Sequence, residues 1–130
     1  MRLGAGVIAL SILVATTASA GTLAHTSYSV TSSDRAAIVQ AMTKLLKVKG
    51  IEVQGLKGSE SLSTGAIAVC GYVTGLTASG VRTKPAIFGG QFSTVQRSLF
   101  HPFGDGGGKG ASADRIKVVK TICDANGIGM

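Results

Sequence analysis

The sequence predicts an α+β domain in which a small, mostly antiparallel sheet carries an N-terminal and a C-terminal helix and one disulfide. Three observations lead to this fold class. Two segments repeat apolar residues with helical spacing, short apolar segments typical of strands lie between them, and Cys70 and Cys123 are the only cysteines. With 130 residues, of which 45% are hydrophobic and 15% charged, the chain can form one domain and is too short for two ordinary ones.

The first twenty residues match the pattern of a secretory signal peptide. Arg2 gives a basic start, residues 7–14 (VIALSILV) form a short apolar segment, and small residues precede a cleavage site between Ala20 and Gly21. The apolar segment is well short of the roughly 20 residues that cross a bilayer, and no later segment is long enough. An uncleaved N-terminal anchor and an ordinary buried element are the alternatives. We therefore expect an exported mature chain without a transmembrane segment, starting at Gly21.

Export would bring the two cysteines into an oxidising compartment, where disulfides persist. A Cys70–Cys123 disulfide is expected, and it would close a loop of about 53 residues and contribute about 4 kcal/mol in the chain-entropy model. Buried free thiols and reactive or intermolecular thiols are the alternatives. The spacing differs from C-x-x-C, and two cysteines cannot form a four-cysteine metal site in one chain.

The first helix is predicted over residues 34–49. Ser32 or Ser33 can cap it, and Asp34 lies in the first turn, where the helix dipole favours an acid. Apolar residues recur at positions 38, 42, 45 and 46, which places them on one face. Three lysines gather at the C-terminal end, and Gly50 offers a stop. Residues 21–33 are small and polar, and they predict a flexible lead-in to a single domain over 34–130.

Between the helices, apolar segments alternate with glycine-rich or polar ones. A short strand begins at 51–53, and residues 57–64 (KGSESLST) are predicted to be a loop. In residues 65–74 (GAIAVCGYVT), the side chains that would face either side of a strand are all or nearly all apolar or small. A strand of this kind is buried on both sides, which predicts a central position in the sheet. After a turn region at 76–84, strands are predicted at 85–92, with a bulge at Gly89-Gly90, and at 94–100; residues 104–110 are predicted to be a mobile loop.

The second helix is predicted over residues 113–125, with Ser112 as its cap and Asn126-Gly127 at its end. Its apolar face includes Cys123, which would therefore point inward. The expected disulfide would link this helix to the central strand in a two-layer arrangement.

Motifs of common enzyme classes are missing, and the chain is not expected to be an enzyme. Gly108-Lys109 is followed by Gly110, so the glycine-rich segment is not a phosphate-binding loop, and no G-x-S-x-G sequence occurs. His25 and His101 make a poor metal site without a nearby acid, and no cofactor is expected. A catalytic His101 and a carboxylate pair formed by Glu52 and Glu60 are the alternatives.

The net charge of +7 has two interpretations. Lysines near helix ends favour the helix dipole and solubility. Alternatively, they attract an anionic partner, and the candidate contacts are Lys44, Lys47, Lys49, Lys117 and Lys120. Nucleic acid is not expected as a partner, because aromatic residues are few and no basic run is present.

The sequence Val69-Cys70-Gly71-Tyr72-Val73, the later segment PAIFGGQF at 85–92 and a late cysteine in a terminal helix resemble small exported proteins of alphaproteobacteria. The similarity spans Leu45 to Phe92. The chain departs from that pattern at positions 74–77, where TGLT replaces N-A-K-N, and in the order of the glycine and aromatic residues. The resemblance implies an exported α+β domain and no particular activity.

The expected function is that of an exported, periplasmic or secreted, non-enzymatic binding protein. Its partner would be a protein or an anionic surface of the cell envelope or of a host. The resemblance extends this expectation to a secreted effector associated with virulence, because some small exported proteins of that bacterial group are effectors. A periplasmic inhibitor or accessory factor of a cell-envelope enzyme and a small hydrolase are the alternatives.

Overall fold

The computed structural model describes residues 24–105 and 113–130. The elements in this part of the chain are β1 (His25–Tyr28), α1 (Ser32–Leu46), β2 (Lys49–Ser61), β3 (Ile67–Leu76), β4 (Ala86–Phe92), β5 (Phe100–Asp105) and α2 (Ala113–Ala125). The strands form one antiparallel sheet in the order β1-β2-β3-β4-β5. The predicted α+β class, antiparallel sheet, two helices and single disulfide are confirmed.

The two helices pack on opposite faces of the sheet. Alternate residues of β3 belong to two separate hydrophobic clusters: Val69 and Val73 lie among the residues that α1 covers, whereas Ala68 and Cys70 lie with Val119 and Cys123 of α2. Side chains alternate between the faces of a strand, so the fold has three layers, helix-sheet-helix. The predicted two-layer arrangement is therefore wrong. The central position predicted for β3 from its two apolar sides is confirmed.

Helix α1 begins and ends slightly earlier than predicted. Thr31, rather than Ser32 or Ser33, is the N-cap, and it forms a capping box with Asp34. Lys47 ends the helix in the left-handed conformation, so the chain turns before Gly50 is reached. Ile38 and Met42 are fully buried as expected, but Leu45 is 45% exposed because it lies toward the side of the helix.

Helix α2 has the predicted bounds, Ala113–Ala125. Its end at Asn126-Gly127 is confirmed: Gly127 has a positive φ of 77°, and the amide of Ile128 donates to the carbonyl of Cys123. Ile128 is buried beside the disulfide. The predicted cap, Ser112, lies outside the described residues.

Two polar segments predicted to lack regular structure contain strands. Residues 25–28 of the supposed flexible lead-in form β1, and β2 continues through most of the predicted loop at 57–64. Each pairs along its length with a neighbour, for example Ser27 with Ser59 and Ser59 with Ala68. Backbone hydrogen bonds to neighbouring strands can order a polar segment even when its sequence lacks the alternating apolar residues typical of a strand.

Strand β5 starts where its predicted counterpart, 94–100, ends. Residues 94–99 turn instead, because the hydroxyl of Ser93 accepts hydrogen bonds from the amides of Val95 and Gln96. The register between β4 and β5 shifts between Gly89 and Gly90, which confirms the predicted bulge. The predicted mobile loop at 104–110 is wrong for its first two residues, which end β5, and the remainder lies outside the described residues.

Candidate functional site

Cys70 and Cys123 form the predicted disulfide, with an S–S distance of 2.03 Å and a Cα–Cα distance of 6.3 Å. Both residues are fully buried between β3 and α2. Gly89 on the neighbouring strand leaves room for the bridge, since a Cβ atom there would lie 3.0 Å from each sulfur. The free-thiol alternatives are therefore wrong for this fold. The predicted cleavage site, Ala20-Gly21, lies outside the described residues.

The structure divides the five predicted anion-contacting lysines into two groups. Lys44, Lys47 and Lys49 follow one another along the C-terminal end of α1 and the start of β2. Lys117 and Lys120 lie one turn apart on α2, beyond the opposite face of the sheet. A single flat surface cannot contact both groups, so the predicted contacts do not form one site.

A concave surface of the described chain lies beside α1 and forms a groove. It has a volume of about 510 Å³ and runs between one side of the helix and the segment that enters β5. Helix residues recur along it with a spacing of three and four positions, and the facing wall comes from residues 96–102. We call this surface the α1 groove; it is lined by Ala37, Gln40, Ala41, Lys44, Leu45, Gln96, Ser98, Leu99, Phe100 and Pro102.

The α1 groove combines an apolar floor with one cation. Leu45 and Leu99 are 45% and 42% exposed, so the groove presents aliphatic surface that the fold does not cover. Lys44 supplies the charge, and the lining contains no acidic residue. Such a combination suits a ligand that is both apolar and negatively charged.

Further lysines surround the end of α1 next to the groove. Lys47 and Lys49 line a hollow of about 450 Å³ together with Val48 and Leu76. Lys84 lines an adjoining hollow of about 370 Å³, to which Val48 and Leu76 also belong. Neither hollow has an acidic residue in its lining. The basic character predicted at the end of α1 therefore continues onto the segment before β4.

Arg82, which lies near this end of the sheet, is already neutralised. Its guanidinium lies 3.1 Å from the carboxylate of Glu52 and donates to the carbonyl of Gly50. The lysines, in contrast, form no ion pair within the described residues. They are available to an external anion.

An ionic network around the buried Asp34 carboxylate holds the outer wall of the α1 groove in place. Arg97 lies between two groove residues, and its guanidinium is 3.2 Å from the carboxylate of Asp34 at the start of α1. It also contacts the Tyr28 hydroxyl and lies over the Phe92 ring at 4.5 Å. This network attaches the segment at 94–99 to the first turn of α1, and so it sets the width of the groove.

The same network shifts two pKa values in opposite directions. Burial by itself would raise the pKa of Asp34, but hydrogen bonds from Tyr28 and Thr31 and the charge of Arg97 outweigh it and lower that pKa below its ordinary value. The hydrogen bond to Asp34, followed by burial, raises the pKa of Tyr28. Asp34 is therefore a carboxylate at neutral pH, and Tyr28 keeps its proton.

The alternatives that involve catalysis find no support in the geometry. His101 is exposed on β5, and its side chain forms no hydrogen bond with the described residues. Glu52 pairs with Thr74 and Glu60 with Ile67, which places the two carboxylates on opposite faces of the sheet. They cannot face each other across a substrate, so the proposed carboxylate pair is wrong. Residues 24–105 and 113–130 contain no group of three or more His, Cys, Asp or Glu side chains suited to a metal ion.

Sequence reasoning missed Lys84 and the apolar wall of the α1 groove. The signal for the groove was the partly exposed side of α1, where positions 37, 41 and 45 repeat small or aliphatic residues at helical spacing. The position of Leu99 and Pro102 opposite that side had no signal, because the turn at 94–99 brings them there. In the described part of the chain, no helix is both long and apolar enough to cross a membrane.

No family model matches this chain, and no curated protein or solved structure matches it significantly.

Proposed function

We propose that this chain is an exported binding protein whose α1 groove receives an acidic, amphipathic segment of a partner protein. The observation that carries the proposal is the exposed aliphatic floor of the groove next to Lys44, with Lys47, Lys49 and Lys84 beyond it and no acid in the lining. Apolar side chains of the segment would fill the groove, and its carboxylates would pair with the lysines. Binding by an amphipathic helix in an apolar groove follows this pattern in general.

The shape of the surface favours a protein segment over a flat anionic layer. The α1 groove is a concave channel between a helix and a facing wall, and its apolar residues lie inside it. A bilayer or a polymer would contact the projecting lysines but would leave Leu99 untouched. A helix or an extended segment can reach both, which brings apolar burial and charge pairing together.

Export belongs to the same proposal. The buried Cys70–Cys123 disulfide and the leader pattern of the first twenty residues support maturation in an oxidising compartment. The resemblance to small exported proteins points the same way. The location of the partner would then separate two biological roles: a host partner indicates a secreted effector, and a cell-envelope partner indicates an accessory factor or inhibitor.

The first test uses synthetic peptides and the oxidised protein. An 18-residue amphipathic Leu/Glu peptide and a matched Leu/Lys peptide would be titrated and followed by amide NMR shifts. We expect the acidic peptide to shift amides at 37–45 and 96–102 and the basic peptide to leave them unchanged. Reversing two charges with Lys44→Glu and Lys47→Glu should weaken binding about tenfold, which corresponds to about 1.4 kcal/mol.

A matched variant controls for net charge. Lys117→Glu with Lys120→Glu changes the charge by the same amount on the other side of the sheet, and binding of the acidic peptide should be nearly unchanged. Equal weakening by both double variants would show non-specific charge attraction and contradict the proposal. Tight binding to anionic vesicles without binding to the acidic peptide would replace the proposed partner by a membrane surface.

A further inference from the structure

A second cavity lies on the α2 side of the sheet, between the edge strand β1 and the C-terminal end of α2. Its volume is about 280 Å³. We call it the α2 cleft, and the polar residues of its lining are His25, Thr26, Ser27, Ser59 and Asp124. None of these residues belongs to the α1 groove, and the cleft is open to a different ligand.

Ser59 is a buried polar group without a partner in the described chain. The residue is 3% exposed, and its Oγ forms no hydrogen bond. Leaving a buried hydroxyl unpaired is unfavourable, which makes this oxygen an available partner for a molecule in the cleft. Gly127 keeps the space open, because a Cβ atom there would lie 3.5 Å from Ser59 Oγ and 3.0 Å from His25 Cβ.

Asp124 places a negative charge where the fold does not favour one. It lies in the last turn of α2, and the C-terminal end of a helix already carries partial negative charge. That turn contains no basic residue, and Asp124 forms no ion pair within the described residues. Both helices have an acid in the first turn, Asp34 in α1 and Asp114 in α2, but only α1 has a basic residue, Lys44, in its last turn. The α2 cleft is thus a negative site in a chain of net charge +7.

We propose that the α2 cleft binds a protonated primary amine. An ammonium group has three hydrogens to donate, and the cleft offers the Asp124 carboxylate, the unpaired Ser59 hydroxyl and the Ser27 hydroxyl as acceptors. A cavity of this size admits a short aliphatic amine or the end of a lysine side chain. The Ser59 hydroxyl has no hydrogen-bond partner in the described structure, so it remains available to a bound ammonium group.

The test is an NMR titration of the oxidised protein with n-butylammonium. The matched neutral and anionic probes are n-butanol and butyrate. We expect butylammonium alone to shift the amides of Ser27, Ser59, Asp124 and Gly127, with a dissociation constant of about 1–10 mM for so small a ligand. A lysine with blocked amino and carboxyl ends gives the second arm. Tighter binding of the blocked lysine indicates a partner chain's side chain, and equal or weaker binding indicates a free amine.

Variants separate this site from general charge effects. Asp124→Asn should weaken butylammonium binding at least tenfold, whereas Asp114→Asn, which removes the same charge from the other end of α2, should leave it unchanged. Ser59→Ala should weaken binding about threefold without lowering Tm, because no internal hydrogen bond is lost. An equal response to butanol, no response up to about 50 mM, or unchanged binding by Asp124→Asn would overturn the proposal.

Discussion

The two faces of the sheet are stabilised in different ways. On the α1 face, ten buried residues form a continuous core that includes three phenylalanines, with Phe100 packed edge-on against Phe88 and Phe92. On the α2 face, the hydrophobic cluster of the described residues has only six buried members, two of them being the disulfide-bonded cysteines. A large apolar core can hold a helix by itself, whereas a small one gains most from a covalent link. We infer that the disulfide chiefly secures α2.

Removal of the disulfide should have the largest effect and should act on one face first. Cys70→Ala with Cys123→Ala is expected to lower the free energy of unfolding by about 4 kcal/mol, because a link across 53 positions of sequence is lost. Denaturant unfolding measures the loss, and hydrogen exchange should show α2 losing protection before α1 does. Equal loss of protection in α1 and α2 would contradict the inference that α2 depends more strongly on the disulfide.

Crowding the α1 core should have the next largest effect. A Cβ atom at Gly90 would lie 2.6 Å from Phe100 Cε2 and 2.7 Å from the His101 carbonyl oxygen. Neither the packed ring nor the backbone can move freely, so Gly90→Ala should cost about 3 kcal/mol. Thermal unfolding of the oxidised protein provides the measurement.

Gly65→Ala is the control for this substitution. Gly65 has a φ of 75° but nothing within 4 Å of a new Cβ atom, so only backbone strain of about 1 kcal/mol is expected. If both variants lost the same stability, crowding against Phe100 would not be the cause.

The ionic network on the α1 face should have a smaller and pH-dependent effect. Asp34→Asn removes the charge that pairs with Arg97 and should lower stability by about 2 kcal/mol at pH 7. Because the pKa of Asp34 is lower in the folded chain, its contribution is present above its ordinary pKa and is lost as the pH falls through the folded value. In measurements from pH 7 to pH 2, the stability difference between the two proteins should therefore begin to shrink below about pH 4 and keep shrinking as the pH falls further. A constant difference over that range would rule out the carboxylate as the source.

The comparison of predicted and observed elements shows which signals local sequence carries. The helices were predicted to within a few residues, because apolar spacing, a first-turn acid and a terminal Asn-Gly are local features. β1 and the second half of β2 were missed, because their polar residues gain order from hydrogen bonds to neighbouring strands. The candidate sites were only partly predicted: Lys44 was identified by charge, but its apolar neighbours Leu99 and Pro102 come from a distant segment.

The sequence by itself determined the α+β class, both helices, the central strand and the cysteine pair, since each depends on composition or on spacing within one segment. Only the tertiary structure decided that the helices lie on opposite faces, that the lysines separate into two groups, and that Ser59 and Asp124 share a cleft. The physical reason is that strand pairing and the parity of side chains along each strand bring distant residues onto a common face. No property of a single segment contains that information.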